Sequence, residues 1–251
     1  PVAALHARRL DRLNIEGSRL GAVRPDEPFA LVLLDGIERS TQDRLEALTE
    51  RSSCALATGA WSTVSTPARI DDLCARTVLD LAAARHLEMD GDGEAAAQEL
   101  ARLQIDATER HELQHQVDGP LLTVPTELYR TIPWADDEAV RTVARELSAH
   151  LAELDTDDSL AAAWRLADLC TYLVRPRSRS TYRYAAAVIA SRLVQGPVLK
   201  RDGRVRIEQV LRLWEHAAER GADLASWVAP AARQAHEDLF GTPIAELKPS
   251  N

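Results

Sequence analysis

The sequence has no apolar run near the ~20 residues that a membrane-spanning helix needs, and nothing at its start reads as a signal peptide. Cysteine is scarce. Cys54, Cys74 and Cys170 are far apart and odd in number. That argues against a disulfide framework and, with no C-x-x-C pair, against a thiolate metal site. Free, mostly buried thiols in a reducing compartment are expected. Lysine is nearly missing, with only Lys200 and Lys248, and aromatic residues make up 4% of the chain. Positive charge is not in excess either: the formal net charge is −9. Phosphate binding needs a basic face, so no nucleic-acid partner is expected. No internal repeat of fixed period and no low-complexity tract is present.

What remains is a chain of 251 residues, 45% of them hydrophobic, enough for one large domain or two small ones. Its abundant alanine and arginine point to the coding bias of a GC-rich bacterium. The compartment reads as cytoplasmic, with export left open because the first residue is Pro1 and not Met.

The N-terminal stretch 1–28 reads as a short Arg-rich helical piece followed by a turn at "RPDEP". "FALVLLDG" (29–36) is a continuous apolar run stopped by Asp-Gly, as a buried strand would be. "STQDRLEALTER" (40–51) turns helical, and "SCALATGAWSTVST" (53–66) fits a second strand or hairpin. A helix is expected from Pro67 to the "DGDG" break at 90–93, with Ile70, Leu73, Cys74, Val78 and Leu81 on one face. The next runs from Glu94 to the Gly119-Pro120 stop. A proline-punctuated connection (121–134) leads to a helix over 135–154, acidic at its start as the dipole favours. Four more helices are expected near 158–174, 180–195, 204–220 and 222–240. In the third of these, Ile207, Val210, Leu211, Trp214 and Ala218 form the apolar stripe, and Trp164, Trp214 and Trp227 read as core. The fold class is mainly α, or α+β with a small strand region near the N-terminus. The expected division is an N-terminal α/β region (1–66) and a helical region (67–251).

Within the helix over 94–118, His111, Glu112 and His115 spell H-E-x-x-H. Residues four apart lie on one helical face, so both imidazoles can reach a single ion. Glu112 sits on the flank of that face, where its carboxylate can take a proton from a zinc-polarised water without ligating the metal. With seven histidines, chance gives this pattern in roughly one to two such sequences per hundred.

The motif resembles that of the zincin metallopeptidases, although Glu109 stands two places before the first histidine, where those enzymes usually carry an uncharged residue. The metzincin extension fails, because Asp118-Gly119 is followed by Pro-Leu-Leu. A faint likeness to peptide deformylase fails as well, since the Gly is one place late and no Glu-Gly-Cys is present. The gluzincin arrangement, with a Glu from a second helix downstream, is met over about fifty residues by "VARELSAHLAEL", but no named family follows. The resemblance implies Glu146 as third ligand, 31 residues after the second histidine. Ser148 and Ala149 after it are small enough for close helix approach. His150 is the next candidate ligand and Glu153 a weaker third. Asp118 shares the histidine face. It is either a carboxylate partner for a ligand imidazole or simply the residue before the helix stop. An oxyanion donor is also needed. His150 could serve, and Tyr172, Tyr182, Tyr184 and Arg183 are further candidates. The arginines of "RPRSRSTYR" (175–183) could bind a carboxylate or phosphate, though such loops are more often solvated. The resemblance thus implies a zincin-like helical core and a zinc-dependent metallopeptidase acting on a peptide or protein substrate. The rival reading is a zincin-like binding or regulatory module without turnover.

Overall fold

A computed structural model describes residues 3–8, 21–23, 29–49, 65–87, 94–119, 122–132, 135–174 and 180–246. Three short strands, β1 (Ala3–Ala7), β2 (Gly21–Val23) and β3 (Phe29–Leu33), form one sheet in the order β1-β3-β2. β1 runs parallel to β3, with Ala3 opposite Phe29, and β2 runs antiparallel to it, with Gly21 opposite Val32. β3 is the strand expected from its sequence. Its side chains alternate in burial, and Ala30 and Val32 are the two that are fully buried.

The helical reading of the N-terminus is corrected at Ala3–Ala7, which is strand. "AALHA" has no repeated apolar stripe for a helix to bury, whereas pairing with β3 satisfies its backbone groups. The Asp-Gly after β3 ends the strand but not the regular structure. Helix α1 (Leu34–Thr49) starts at once and takes Asp35 into its first turn, where the dipole favours it. The expected strand or hairpin over 53–66 lies outside the described residues, apart from Ser65 and Thr66, which open a helix.

That helix, α2 (Ser65–Ala83), buries Ile70, Cys74, Val78 and Leu81 as its periodicity requires. It stops before "DGDG" is reached. The Leu87 amide reaches back to the Ala82 carbonyl at 3.1 Å, with His86 at φ 58. This is a left-handed helix cap that needs no glycine to form. The helix α3 (Glu94–Asp118) follows, then a one-turn helix α4 (Thr126–Thr131) inside the expected connection. Five long helices follow among the described residues: α5 (Asp137–Leu154), α6 (Ser159–Val174), α7 (Thr181–Leu193), α8 (Ile207–Arg220) and, after a 3₁₀ turn, α9 (Leu224–Phe240). Gly241, at φ 73, ends α9 by donating to the Glu237 carbonyl at 2.8 Å.

α5 is the centre of the packing, in contact with α3, α4, α6, α7 and α9. From Leu147 to Leu154 every one of its residues is buried, polar ones included. Trp164 and Trp214 are core residues, whereas Trp227 is only partly buried. The α8 stripe needs one correction: Leu213 and Ala217 are buried with Val210 and Trp214, while Ala218 is exposed. The thiol expectation is corrected at Cys74, which is disulfide-bonded. Cys170 is free and buried and accepts a hydrogen bond from the Trp214 indole at 3.0 Å, and Cys54 lies outside the described residues. Among the described residues no helix is long and apolar enough to cross a membrane.

Candidate metal centre

α3 lies between the sheet and α5. The Gln116 amide holds the α3 end to β3 by donating to the Phe29 carbonyl at 3.2 Å. On the other side, small residues let α5 approach: Ala144, Ser148, Ala149 and Ala152 are all buried. This packing brings the two histidines of α3 against Glu146 of α5. The His111 and His115 Nε2 atoms are 3.0 Å apart. Glu146 Oε2 is 3.5 Å from His111 Nε2, and its Oε1 is 3.8 Å from His115 Nε2. One nitrogen or oxygen from each of the three falls within a sphere that a single cation could share.

The donor set is short of partners. Glu146 Oε2, His111 Nδ1, His115 Nδ1 and His150 Nε2 are buried and make no hydrogen bond among the described residues. Orphaned buried polar atoms are costly, and two facing imidazole nitrogens repel unless a proton or cation lies between them. Burial alone would push the His111 imidazolium down, but Glu153 and Glu146 outweigh it and raise its pKa to about 10. His115 moves the other way, to about 3, through burial and then the charge of His111. Burial pushes the Glu146 carboxyl up, but contact with His111, His150 and His115 leaves it below its ordinary value. The site thus favours positive charge where two imidazoles meet a carboxylate. A bound divalent cation would take over that role. Two imidazoles and one carboxylate are a donor set that suits zinc, with a position left for water.

Glu112 is buried and sits on the flank facing the sheet, against Gly21 of β2. A Cβ at Gly21 would lie 2.6 Å from Glu112 Cγ, so only glycine leaves room for this carboxylate. Glu109 pairs with His6 of β1, which accounts for the charged residue two places before the motif.

His150, one turn beyond Glu146, is 2% exposed, and its ring centroid is 5.0 Å from that of His111. Its Nδ1 is 2.9 Å from Glu153 Oε2. A neutral His150 that donates from Nδ1 carries a lone pair at Nε2, so it donates from Nε2 only when doubly protonated. Two of the four other candidate oxyanion donors gather near it. Tyr172 and Tyr182 stack with centroids 5.2 Å apart, and their rings lie 6.0 and 5.8 Å from that of His150. Tyr184 is packed in the core, and Arg183 donates to the Gly203 carbonyl at 2.9 Å. The arginines at 175, 177 and 179 lie outside the described residues.

The carboxylate beside the His111 imidazole is Glu153 and not Asp118. Glu153 Oε1 is 2.9 Å from His111 Nδ1. Asp118 instead accepts from the Gln114 amide at 2.7 Å, in a buried polar group with Ser148 and His236. Sharing a helical face with His111 was not enough, because the last turn of α3 directs Asp118 towards Gln114. The signal for Glu153 was its spacing: Glu146, His150 and Glu153 fall at i, i+4 and i+7 on one face of α5. Arg165, which binds Glu153 from α6, carried no such signal.

Compared with models of protein families, with curated proteins and with solved structures, the chain matches none.

Proposed function

We propose that the protein is a zinc-dependent metallopeptidase in which His111, His115 and Glu146 hold the ion and Glu112 is the general base. One observation carries this reading. A carboxylate from a helix distant in sequence lies within 3.5 and 3.8 Å of the two histidine nitrogens of an H-E-x-x-H turn. Zinc bound there supplies a Lewis acid that polarises the substrate carbonyl and lowers the pKa of water towards 7. Glu112 accepts a proton from the attacking water as its oxygen bonds to the carbonyl carbon. It then hands that proton to the amine nitrogen as the C–N bond breaks. A peptide substrate is favoured because Glu112 lies beside β2, an outer strand of the described sheet. An extended chain can add to such a strand by main-chain hydrogen bonds. His150, whose ring centroid is 5.0 Å from that of His111, is the candidate donor to the developing oxyanion.

The test is metal content with peptide hydrolysis on the purified chain. We expect about one zinc per chain, lost in His111→Ala and Glu146→Ala. Glu112→Gln should keep the zinc and lose at least about 100-fold in kcat. Zinc without hydrolysis in the wild type would favour a binding module. No zinc uptake at all would leave the three residues without a shared role.

A further inference from the structure

We propose that Arg165 and Glu153 form a buried positioning pair that aims the His111 ring at the metal position and holds the His150 ring beside it, with Arg165 keeping Glu153 from becoming a ligand itself. The proposal rests on the metal reading above and extends it to residues one and two contacts further out.

Among the described residues two overlapping donor groups exist, His111–His115–Glu146 and His111–His150–Glu153. They share His111, and their carboxylates differ in one respect. Glu146 Oε2 is buried without a hydrogen bond. Both oxygens of Glu153 are occupied: Oε1 lies 2.9 Å from His111 Nδ1, and Oε2 lies 2.9 Å from His150 Nδ1 and 3.0 Å from Arg165 Nε. A second guanidinium nitrogen of Arg165 also bonds Oε2. To ligate a metal, Glu153 would have to give up these partners inside a site where water cannot replace them.

A carboxylate at Nδ1 fixes an imidazole in the tautomer that presents Nε2. Glu153 makes this hydrogen bond with His150 Nδ1, and it lies against His111 Nδ1 at 2.9 Å as an ion-pair contact, which restrains both rings. His111 Nε2 then faces His115 and Glu146, and His150 Nε2 is left buried without a protein partner.

Arg165 is itself held from several sides. Its Nη1 is 3.1 Å from Gln104 Oε1 and 2.5 Å from Asp168 Oδ2. Gln104, two turns before His111 on α3, also accepts from the Trp164 indole at 3.1 Å. Asp168 pairs with Arg44 of α1 at 2.6 Å, and Arg44 stacks over Trp164. The pair is thereby tied to α1, α3 and α6. Arg165 and Glu153 are 4% and 5% exposed, so the arrangement is shielded from solvent. A planar guanidinium fork suits this geometry, whereas a lysine would offer only a point charge.

The experiment measures zinc affinity by chelator competition and the imidazole nitrogen signals by NMR, on the full chain and its variants. Glu153→Gln keeps the side-chain shape. It should bind one zinc about 10- to 100-fold more weakly, with altered Nδ1 signals at His111 and His150. Arg165→Met should weaken zinc in the same direction, and Arg165→Lys should recover only part of the loss. If either single variant fails to fold, the double variant Glu153→Met/Arg165→Met leaves no lone buried charge. It should show the same weakening. Wild-type affinity in a folded Glu153→Gln or in the double variant would overturn the proposal. So would loss of all zinc in Glu153→Gln while Glu146→Gln retains it, because Glu153 would then be the ligand. A wild type that takes up no zinc sinks the metal reading first. In that case, unchanged ring signals in metal-free Glu153→Gln would show separately that the pair positions neither ring.

Discussion

Two single residues give sharp tests because each stands where one atom decides the outcome. Gly21 faces Glu112 so closely that an added Cβ must displace the carboxylate. Gly21→Ala should therefore lower kcat roughly 10- to 100-fold through misplaced proton transfer while zinc content stays at the wild-type level. Loss of zinc along with activity would mean that the strand supports the metal and not the base. Asp71 is the second case. Burial raises its carboxyl from 3.8 to about 7, and Oδ1 has no hydrogen-bond partner. Between those values the folded chain holds a proton that the unfolded chain has released, so this residue's contribution to stability falls as pH rises from about 4 to 7. Asp71→Asn stays uncharged. It should gain ~1 kcal/mol above pH 7, discounted for a half-exposed group, or about 2–4 °C in Tm, with little change at pH 4. A gain of equal size at both pH values would rule out the charge as its cause. At this scale the site was half legible. His111, Glu112, His115 and Glu146 follow from helical spacing plus a known pattern. Gly21, Gln104 and Arg165 meet the motif only through tertiary packing, which no spacing within one element reveals.

Elements were easier to read than their partners. α3 and the helices from α5 to α9 lie within a few residues of their expected bounds: α3 is set off by "DGDG" and Gly119-Pro120, and α5 and α8 carry a clear 3.6-residue apolar period. β1 and α4 were missed because five or six residues hold too little period to register, and their neighbours decide their conformation. α5 matters most, since Glu146, His150 and Glu153 all project from it. Its start is set by Asp136, whose side chain accepts from the Ala139 amide at 2.8 Å. Asp136→Ala should remove ~1 kcal/mol of stability and lower Tm by about 2–4 °C. The cap is at the exposed end of α5 and the proposed ligand Glu146 is more than two turns along it, so zinc affinity should not change. A drop in affinity matching the drop in Tm would mean that α5 frays as one unit down to Glu146. That would make the site as labile as its helix start.

Across the whole molecule the candidate centre links parts of the chain far apart in sequence. α3 touches all three strands and α1 on one side and α5 and α6 on the other. Mainly helical architecture with a small N-terminal sheet was readable from composition and period. The convergence of α3, α5 and α6 on one buried polar cluster was not, because hydrophobic patterning says which face is inward and not which inward polar groups meet. Unloaded, that cluster leaves buried polar atoms without hydrogen bonds and sets two imidazole nitrogens 3.0 Å apart. Metal binding should therefore raise global stability and not only local order. A ligand that binds the folded chain alone at about 100 times its Kd adds ~2.7 kcal/mol. For a chain of this size that is roughly 5–11 °C in Tm. Calorimetry with saturating zinc, against the same sample with chelator, should show a shift of that size. His111→Ala and Glu146→Ala should lose it, whereas Glu112→Gln, which leaves the ligands in place, should retain it. If zinc moves the melting of His111→Ala as far as that of the wild type, the ion binds elsewhere, and the meeting of α3 and α5 is packing alone.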